Sequence, residues 1–499
     1  MAFLTLDGFR MFQPVGNHTQ RQGLDGRERL FASAAVHHDS RERGDIGYPA
    51  SVGLAVELHF QIEHRGLGLT LHDGSVPSNE KIMTYPDSVQ FLYALGNEMK
   101  TAKLGLERIH AVLGALGNPE KAYRVVHVAG TNGKGSTCAM IAAGLQAAGV
   151  RTGLFTSPHL IEPTERIQVD GIPVSEMQFS QAFDVVHQAA GSLDLDAHPS
   201  YFETVAAMAF WLFRELNVQT AVIEVGLGGR LDATNVVDPV LTVITPVDLD
   251  HQVFLGDTIE LIAAEKAGIL KRGVPAVFAC QHPEAAAVLE ARASELGVPV
   301  RRAGEFEIRD LETDARGSRF SGIEIPLAGE HQVDNAVTAA LALEELGVSP
   351  AGIAETHWPG RLEHISPNPD IVLDGAHNSA GALALARYLE TYYSGRKRWM
   401  IFGAMRDKAV AEMAEILFPL ADELILTAAD SPRSMPPEEL ATLAGRGRAV
   451  ANIGAALQLV AGEVRADDAI IITGSLFLVG ETRAASYNRN SWPFSGAWS

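Results

Sequence analysis

Disulfides, membrane spans and basic surface are what this sequence has least of. Only two cysteines, Cys138 and Cys280, occur in 499 residues. Two are too few for a disulfide framework and suit a reducing compartment, so a cytoplasmic location is expected. Both sit among small apolar neighbours and are expected to be buried structural thiols, not nucleophiles. No stretch reaches the roughly 18 uninterrupted apolar residues that span a bilayer. The N-terminus, MAFLTLDGFRMFQPVGN, has no basic start followed by an apolar run, so it does not read as a signal peptide. Lysine and arginine number 40 against 61 acidic residues, a formal net charge of −21. That excess argues against nucleic acid or an anionic membrane as the main partner. It does not exclude anionic small molecules, because a few cations in a cleft can outweigh dispersed charges screened over about 10 Å.

What is present is globular: 46% hydrophobic and 20% charged residues, with length for two or three domains. Residues 1–82 hold a charge-mixed segment from Arg21 to Arg43 and one apolar run near Val52–Phe60. They lack a helical period, so they read as an extension, disordered or preceding the functional start near Met83. From Met83, Val89, Leu92, Tyr93 and Met99 recur at helical spacing. Beyond Tyr123 the rhythm is β-α-β: YRVVHVAG, then a small-residue helix, VRTGLFTS, TAVIEVG and VLTVITPV. That alternation predicts a mostly parallel sheet with helices on both faces. A second α/β series follows Trp358-Pro359-Gly360, a boundary signal: IVLDGAHN, a helix over 380–392, RWMIFGA, a helix to Leu417, ELILTAA and AIIITGSLFLVGE. The fold class is thus α/β, a P-loop-containing sheet domain (83–358) followed by a smaller Rossmann-like domain (359–486). The tail 487–499 has no periodicity and is expected to be disordered.

Between the strand ending at Val128 and the next helix lies Ala-Gly-Thr-Asn-Gly-Lys-Gly-Ser. Gly130, Gly133 and Gly135 let backbone N–H groups converge on an anion, and the helix N-terminus adds partial positive charge. Thr131 and Asn132 lie within the loop, Lys134 can reach terminal phosphates, and Ser136 can offer a hydroxyl to phosphate or Mg²⁺. The strict pattern G-x-x-x-x-G-K-[ST] is not met: Val128 stands at the first glycine and Gly135 follows the lysine.

HVAGTNGKGST is followed in order by TSPHLIEPTERI, EVGLGGRLDATN, DLDHQVFLG and AAEKAGILK. Over residues 83–485 the chain resembles the bacterial dihydrofolate synthase/folylpolyglutamate synthases, relatives of the Mur ligases. The resemblance implies ATP-dependent ligation of L-glutamate to dihydropteroate and to reduced folates through an acyl phosphate, with two Mg²⁺ sites. It matches Ser157 and Glu224 to ligands of one Mg²⁺ and His251 to the second. It implies that Lys266 is carbamylated and catalytic beside Lys134 and His377. Asn335, Arg361 and Asp374 match nucleotide contacts. Leu104, Gly105, Ser200, Tyr201, Phe202, Leu231, Asp232 and Ala233 match the pteridine side, and Ser475, like His377, is tied to the incoming glutamate. LGLER after Lys103 looks like the dihydropteroate-using type, although an acidic residue often stands where Lys103 does. A monomer acting on small molecules alone is expected. A folylpolyglutamate synthase without the dihydropteroate activity, a Mur-type cell-wall ligase and a non-catalytic nucleotide switch are the competing readings.

Overall fold

The computed structural model describes residues 83–96, 105–195, 197–488 and 492–494. The extension 1–82, Lys103, Leu104 and most of the tail lie outside the described residues. Eight strands build the first sheet: β1 (Arg124–Ala129), β2 (Thr152–Phe155), β3 (Ile167–Val169), β4 (Ile172–Pro173), β5 (Thr220–Glu224), β6 (Leu241–Ile244), β7 (Ala276–Phe278) and β8 (Val300–Arg302). Their order is β4-β3-β2-β5-β1-β6-β7-β8. Only the β2–β3 and β3–β4 pairings are antiparallel. Val126, Val128, Val222, Leu241 and Val243 are fully buried, as expected of strands covered on both faces by helices. Aromatic packing on one face (Phe155, Phe179, Phe183, Phe210, Phe213) is matched on the other by Ile141, Leu145, Leu341 and Leu343.

Chain order makes β1 the pivot of this sheet. The connection from β1 goes to β2 on one side, while β6 flanks it on the other. Crevices form where crossovers diverge in this way, at the carboxyl ends of parallel strands. The phosphate loop leaves β1 at that end. Val128 and Glu224 are paired across β1 and β5, so the loop and the carboxylate start side by side.

A small antiparallel sheet, β9 (Glu312–Thr313), β10 (Ser318–Phe320) and β11 (Ile323–Ile325), then leads to the helix Glu330–Glu345. The sequence reading missed this sheet because its strands are two or three residues long. The second large sheet has β12 (Glu363–Pro367), β13 (Asp370–Leu373), β14 (Arg398–Phe402), β15 (Glu423–Leu426), β16 (Arg448–Ala449) and β17 (Ala469–Thr473). It runs β12-β13-β17-β14-β15-β16, parallel except at the β12 edge. The strands and helices expected around both series are present, the Ser379–Tyr392 helix among them.

Two expectations change. Cys138 is buried but Cys280 is exposed, because β7 ends at Phe278 and Cys280 already lies in the loop beyond the sheet. The final helix runs on to Tyr487, and within the tail expected to be disordered the described Phe494 packs with Trp492 against the second sheet's core. Isolated aromatics carry no period, so the pattern could not reveal that contact. No helix among the described residues is long and apolar enough to cross a membrane.

Candidate active site

The phosphate loop is shaped by what presses on its glycines. Gly133 sits at φ +80 at the start of the helix Lys134–Ala147, and a Cβ there would meet the Asn335 amide 2.2 Å away. A side chain at Gly130 would collide with Thr245, and one at Gly135 with the Trp358 ring. The loop therefore holds a tight course against β6, the helix Glu330–Glu345 and the domain boundary. Thr131 Oγ1 donates to the Asp248 carbonyl and accepts from its N–H, tying the loop to the chain after β6. Ser136 is buried, and its hydroxyl accepts from Gln332 Nε2 at 3.3 Å; Asn335 in turn donates to Gln332 Oε1.

Lys134, at the helix N-terminus, donates to the Thr131 carbonyl and lies 4.0 Å from Glu224. Glu224 is 3% exposed and accepts from the Ser157 backbone N–H at 3.0 Å. Burial raises its pKa, with Lys134 pulling the other way. The loop bearing Ser157 contains the cis Ser157–Pro158 bond. Glu165 braces that loop by accepting from the N–H groups of Leu160, Ile161 and Glu162. Ser157, Glu224 and Lys134 are thus one cluster.

Across the loop, Lys266 is 4% exposed and donates to the Gly130 carbonyl at 2.7 Å. Burial, then the neighbouring Lys134 charge, pushes its pKa down to about 7. His251 adopts φ +52 before the short helix Gln252–Leu255. Burial lowers its pKa to about 4, so at neutral pH the ring is uncharged and its one unprotonated nitrogen is available to a cation. Burial alone would raise the Asp250 carboxyl, but His251 and Lys408 beside it hold it well below the usual range. Lys408, from the second sheet's half, makes a 3.0 Å ion pair with Asp250. The sequence reading missed Lys408; its place in GAMRDK just after β14, at a strand's carboxyl end, was the available signal.

The other half adds a row at the ends of β13 and β17. Asp374 is buried and accepts from the N–H groups of Leu362 and Ala376; burial raises its pKa and Arg361 opposes that. Arg361 donates to the Gly375 carbonyl. His377 Nδ1 lies 2.8 Å from the same carbonyl, and burial lowers its pKa to about 4. Asn378 Nδ2 reaches Asn132 Oδ1 at 3.0 Å, a direct bridge from this row to the phosphate loop. Ser475 caps the helix Leu476–Tyr487 by accepting from Phe477 N–H.

Among the residues that the resemblance matches to the pteridine, Ser200 and Glu203 form a reciprocal cap on the helix Tyr201–Glu215, and Arg108 grips Glu203 at 2.9 Å. Tyr201 is 2% exposed; it stacks on the exposed Tyr93 (5.9 Å, 4°), with the Arg166 guanidinium 5.0 Å from its centroid. Phe202 covers Gly226, where a Cβ would meet the ring at 2.4 Å. Asp232 is buried inside its own loop, accepting from Leu227 and Thr234 N–H groups. Leu231 is partly exposed and Ala233 buried beside it. Gly105 opens the described chain after the gap.

Mg²⁺ prefers few protein oxygens and keeps waters and phosphates as ligands. One buried carboxylate, Glu224, bonded to the Ser157 backbone N–H, with a neutral His251 across the loop near Lys134 and Lys266, fits that demand. No set of three or more His, Cys, Asp or Glu among the described residues makes a complete protein cage. The arrangement can seat a polyphosphate on the loop, neutralise it with Lys134, and face it with His377, Arg361 and Lys408 from the other half.

Known proteins share this layout. The family model described as the Mur ligase middle domain matches residues 128–343, and the Mur ligase, glutamate ligase domain matches 360–476. A folylpolyglutamate synthase of Lacticaseibacillus casei is 37% identical over 425 residues, 80% of this chain and 98% of its own. A dihydrofolate synthase/folylpolyglutamate synthase of Bacillus subtilis is 36% identical over 406 residues, 76% and 94% of the two chains. Among solved structures, Mycobacterium tuberculosis folylpolyglutamate synthase complexed with ADP and AMPPCP superposes with a TM-score of 0.74 at 34% identity, covering 80% of this chain and 99% of that one. Escherichia coli FolC in complex with DHPP and ADP gives 0.74 at 32%, covering 82% and 98%.

Proposed function

The chain belongs to the dihydrofolate synthase/folylpolyglutamate synthase family of Mur ligases, and on that premise we propose that it ligates L-glutamate to dihydropteroate and to reduced folates with ATP. The observation that carries this reading is the convergence of Lys134, Glu224, Ser157 and Lys266 on one glycine-rich loop. A carboxylate does not condense with an amine at neutral pH unless it is activated. Transfer of the γ-phosphoryl group makes an acyl phosphate, and the amine of glutamate displaces phosphate from it.

The residues divide that work. Gly130 to Ser136 cradle the phosphates, and Lys134 offsets their charge. Ser157 and Glu224 would hold one Mg²⁺ and His251 a second, ions that supply charge neutralisation at the phosphoryl group. Lys266, with a pKa near 7, has the neutral amine that CO₂ addition requires, and its carbamate would add an anion beside His251. Asn335, Arg361 and Asp374 take the nucleotide from the junction. Leu104, Gly105, Ser200 to Phe202 and Leu231 to Ala233 take the pteridine. The glutamate comes from the side of 359–486, where His377 and Ser475 stand. Closure of that part on residues 83–358 would exclude water from the acyl phosphate. Since every group comes from one chain, a monomer suffices, and the two free thiols suit the cytoplasm.

ADP release tests the reading directly. Dihydropteroate and tetrahydrofolate, each with L-glutamate, should both stimulate it; silence with dihydropteroate would leave only polyglutamate synthesis. Glu224→Gln should reduce turnover by about 100-fold or more while the protein stays folded. Normal turnover in that variant would remove the metal assignment.

A further inference from the structure

His127 is fully buried in β1, three residues before Gly130, and nothing in the ligation chemistry calls for a histidine there. Its Nε2 lies 2.8 Å from Thr234 Oγ1, and Thr234 Oγ1 in turn bonds Asp232 Oδ1. Among the described residues its Nδ1 has no hydrogen-bond partner. That vacancy fixes the direction of the chain. If Nδ1 carried the proton, a buried N–H donor would be left unsatisfied, whereas a bare ring lone pair is the cheaper orphan. The proton is therefore on Nε2, which donates to Thr234. Thr234 donates its hydroxyl hydrogen bond to Asp232, whose carboxylate also accepts from Leu227 and Thr234 N–H groups. Burial also holds His127 neutral, with a pKa of about 3.

We propose that His127 and Thr234 are positioning residues that, through Asp232, set the loop 226–233 against the pteridine. The loop is the floor for Phe202, whose ring lies against Gly226, and its first amide past Gly226 is pinned by Asp232. At the other end the chain begins on the strand that feeds the phosphate loop. One buried hydrogen-bonded line thus sets the registration of the pteridine floor relative to the phosphates, the separation that an acyl transfer must hold within a fraction of an ångström. This inference rests on the pteridine ligase reading above.

Two pairs of variants test it, with tetrahydrofolate as the probe. Thr234→Val keeps shape but loses the hydroxyl; Thr234→Ser keeps the hydroxyl. His127→Gln keeps an amide N–H near the Nε2 position; His127→Asn is too short to reach. The Val variant, which loses two buried hydrogen bonds, and the Asn variant, which loses one, should each raise the KM for tetrahydrofolate about tenfold or more, with the KM for ATP within about twofold. The Ser and Gln variants should stay within about twofold of the parent in both. Either pair suffices should the other not fold. An unchanged tetrahydrofolate KM, or an equal rise for ATP, overturns the positioning role. A parent chain with no pteridine-dependent ADP release would sink the ligase reading and this role together, whereas parent turnover with flat variants sinks this role alone.

Discussion

At Lys266 burial strips the water that favours an ammonium, and Lys134 stands nearby as a second cation. The result is a pKa of about 7 against an ordinary 10.5, so the amine is neutral above pH 7 and charged below it. Carbamate formation needs the neutral form. Turnover should therefore fall as pH drops below about 7, and NMR with ¹³C-bicarbonate should show a carbamate signal that disappears over the same range. Lys266→Met should remove the signal and lower activity by about 10- to 100-fold; a variant that lacks the signal yet keeps full turnover would disprove a catalytic carbamate. The sign for stability is separate. Between about 7 and 10.5 the unfolded chain holds the extra proton, so this lysine's contribution to stability rises with pH across that window. From sequence alone Lys266 reads as a solvated helix residue, because burial is a property of the fold and not of AEKAGI. Glu224 was easier to see: a carboxylate at the end of a buried strand run, followed by glycines, already marks a crevice.

Around Leu160 the two halves meet closely at glycines. In the final helix, Leu476–Tyr487, a Cβ at Gly480 would fall 1.9 Å from the Leu160 carbonyl, and one at Gly360 would touch the Leu160 side chain. Leu160 belongs to the loop that carries Ser157, so a helix of the second half bears directly on a proposed metal ligand of the first. Gly480→Ala must push that loop or the helix aside. A destabilisation of about 1–3 kcal/mol is expected, and with it a raised Mg²⁺ requirement in the ADP-release assay. A stable variant with an unchanged Mg²⁺ dependence would show that the loop yields without consequence. The order of the long strands and helices was legible because buried parallel strands are unbroken apolar runs. The three-stranded sheet β9–β11 and the edge strand β12 were not, since two- to five-residue strands with charged faces carry no period. The glycine contacts were equally hidden: a sequence shows that Gly480 is small, not what leans on it.

Over the whole molecule, the first half touches both ends of the second large sheet, and the two contacts differ in kind. At the carboxyl end are the bridges across the cleft, Lys408 to Asp250 and Asn378 to Asn132. At the amino end, the turn between β9 and β10 docks on the second half. The Ala315 carbonyl accepts from Tyr388 and lies 2.9 Å from His364 Nε2, and Arg316 is 3.7 Å from Asp370. Asp370 is itself held by His364, Tyr393 and Arg396. On the proposed reading substrates enter at the cleft, and opening would then break the first set while the second persists as the axis. Lys408 and Asp250 are largely buried, and removing one partner leaves an uncompensated charge. Lys408→Met should therefore favour the open cleft. Amide hydrogen exchange at 131–133 and 250–256 is expected to quicken in that variant, while 313–319 stays protected as in the parent. Equal quickening at both ends would mean that the halves are held as one block, and that the β9–β10 turn is no axis; unchanged exchange at the cleft would mean that Lys408 does not hold it shut.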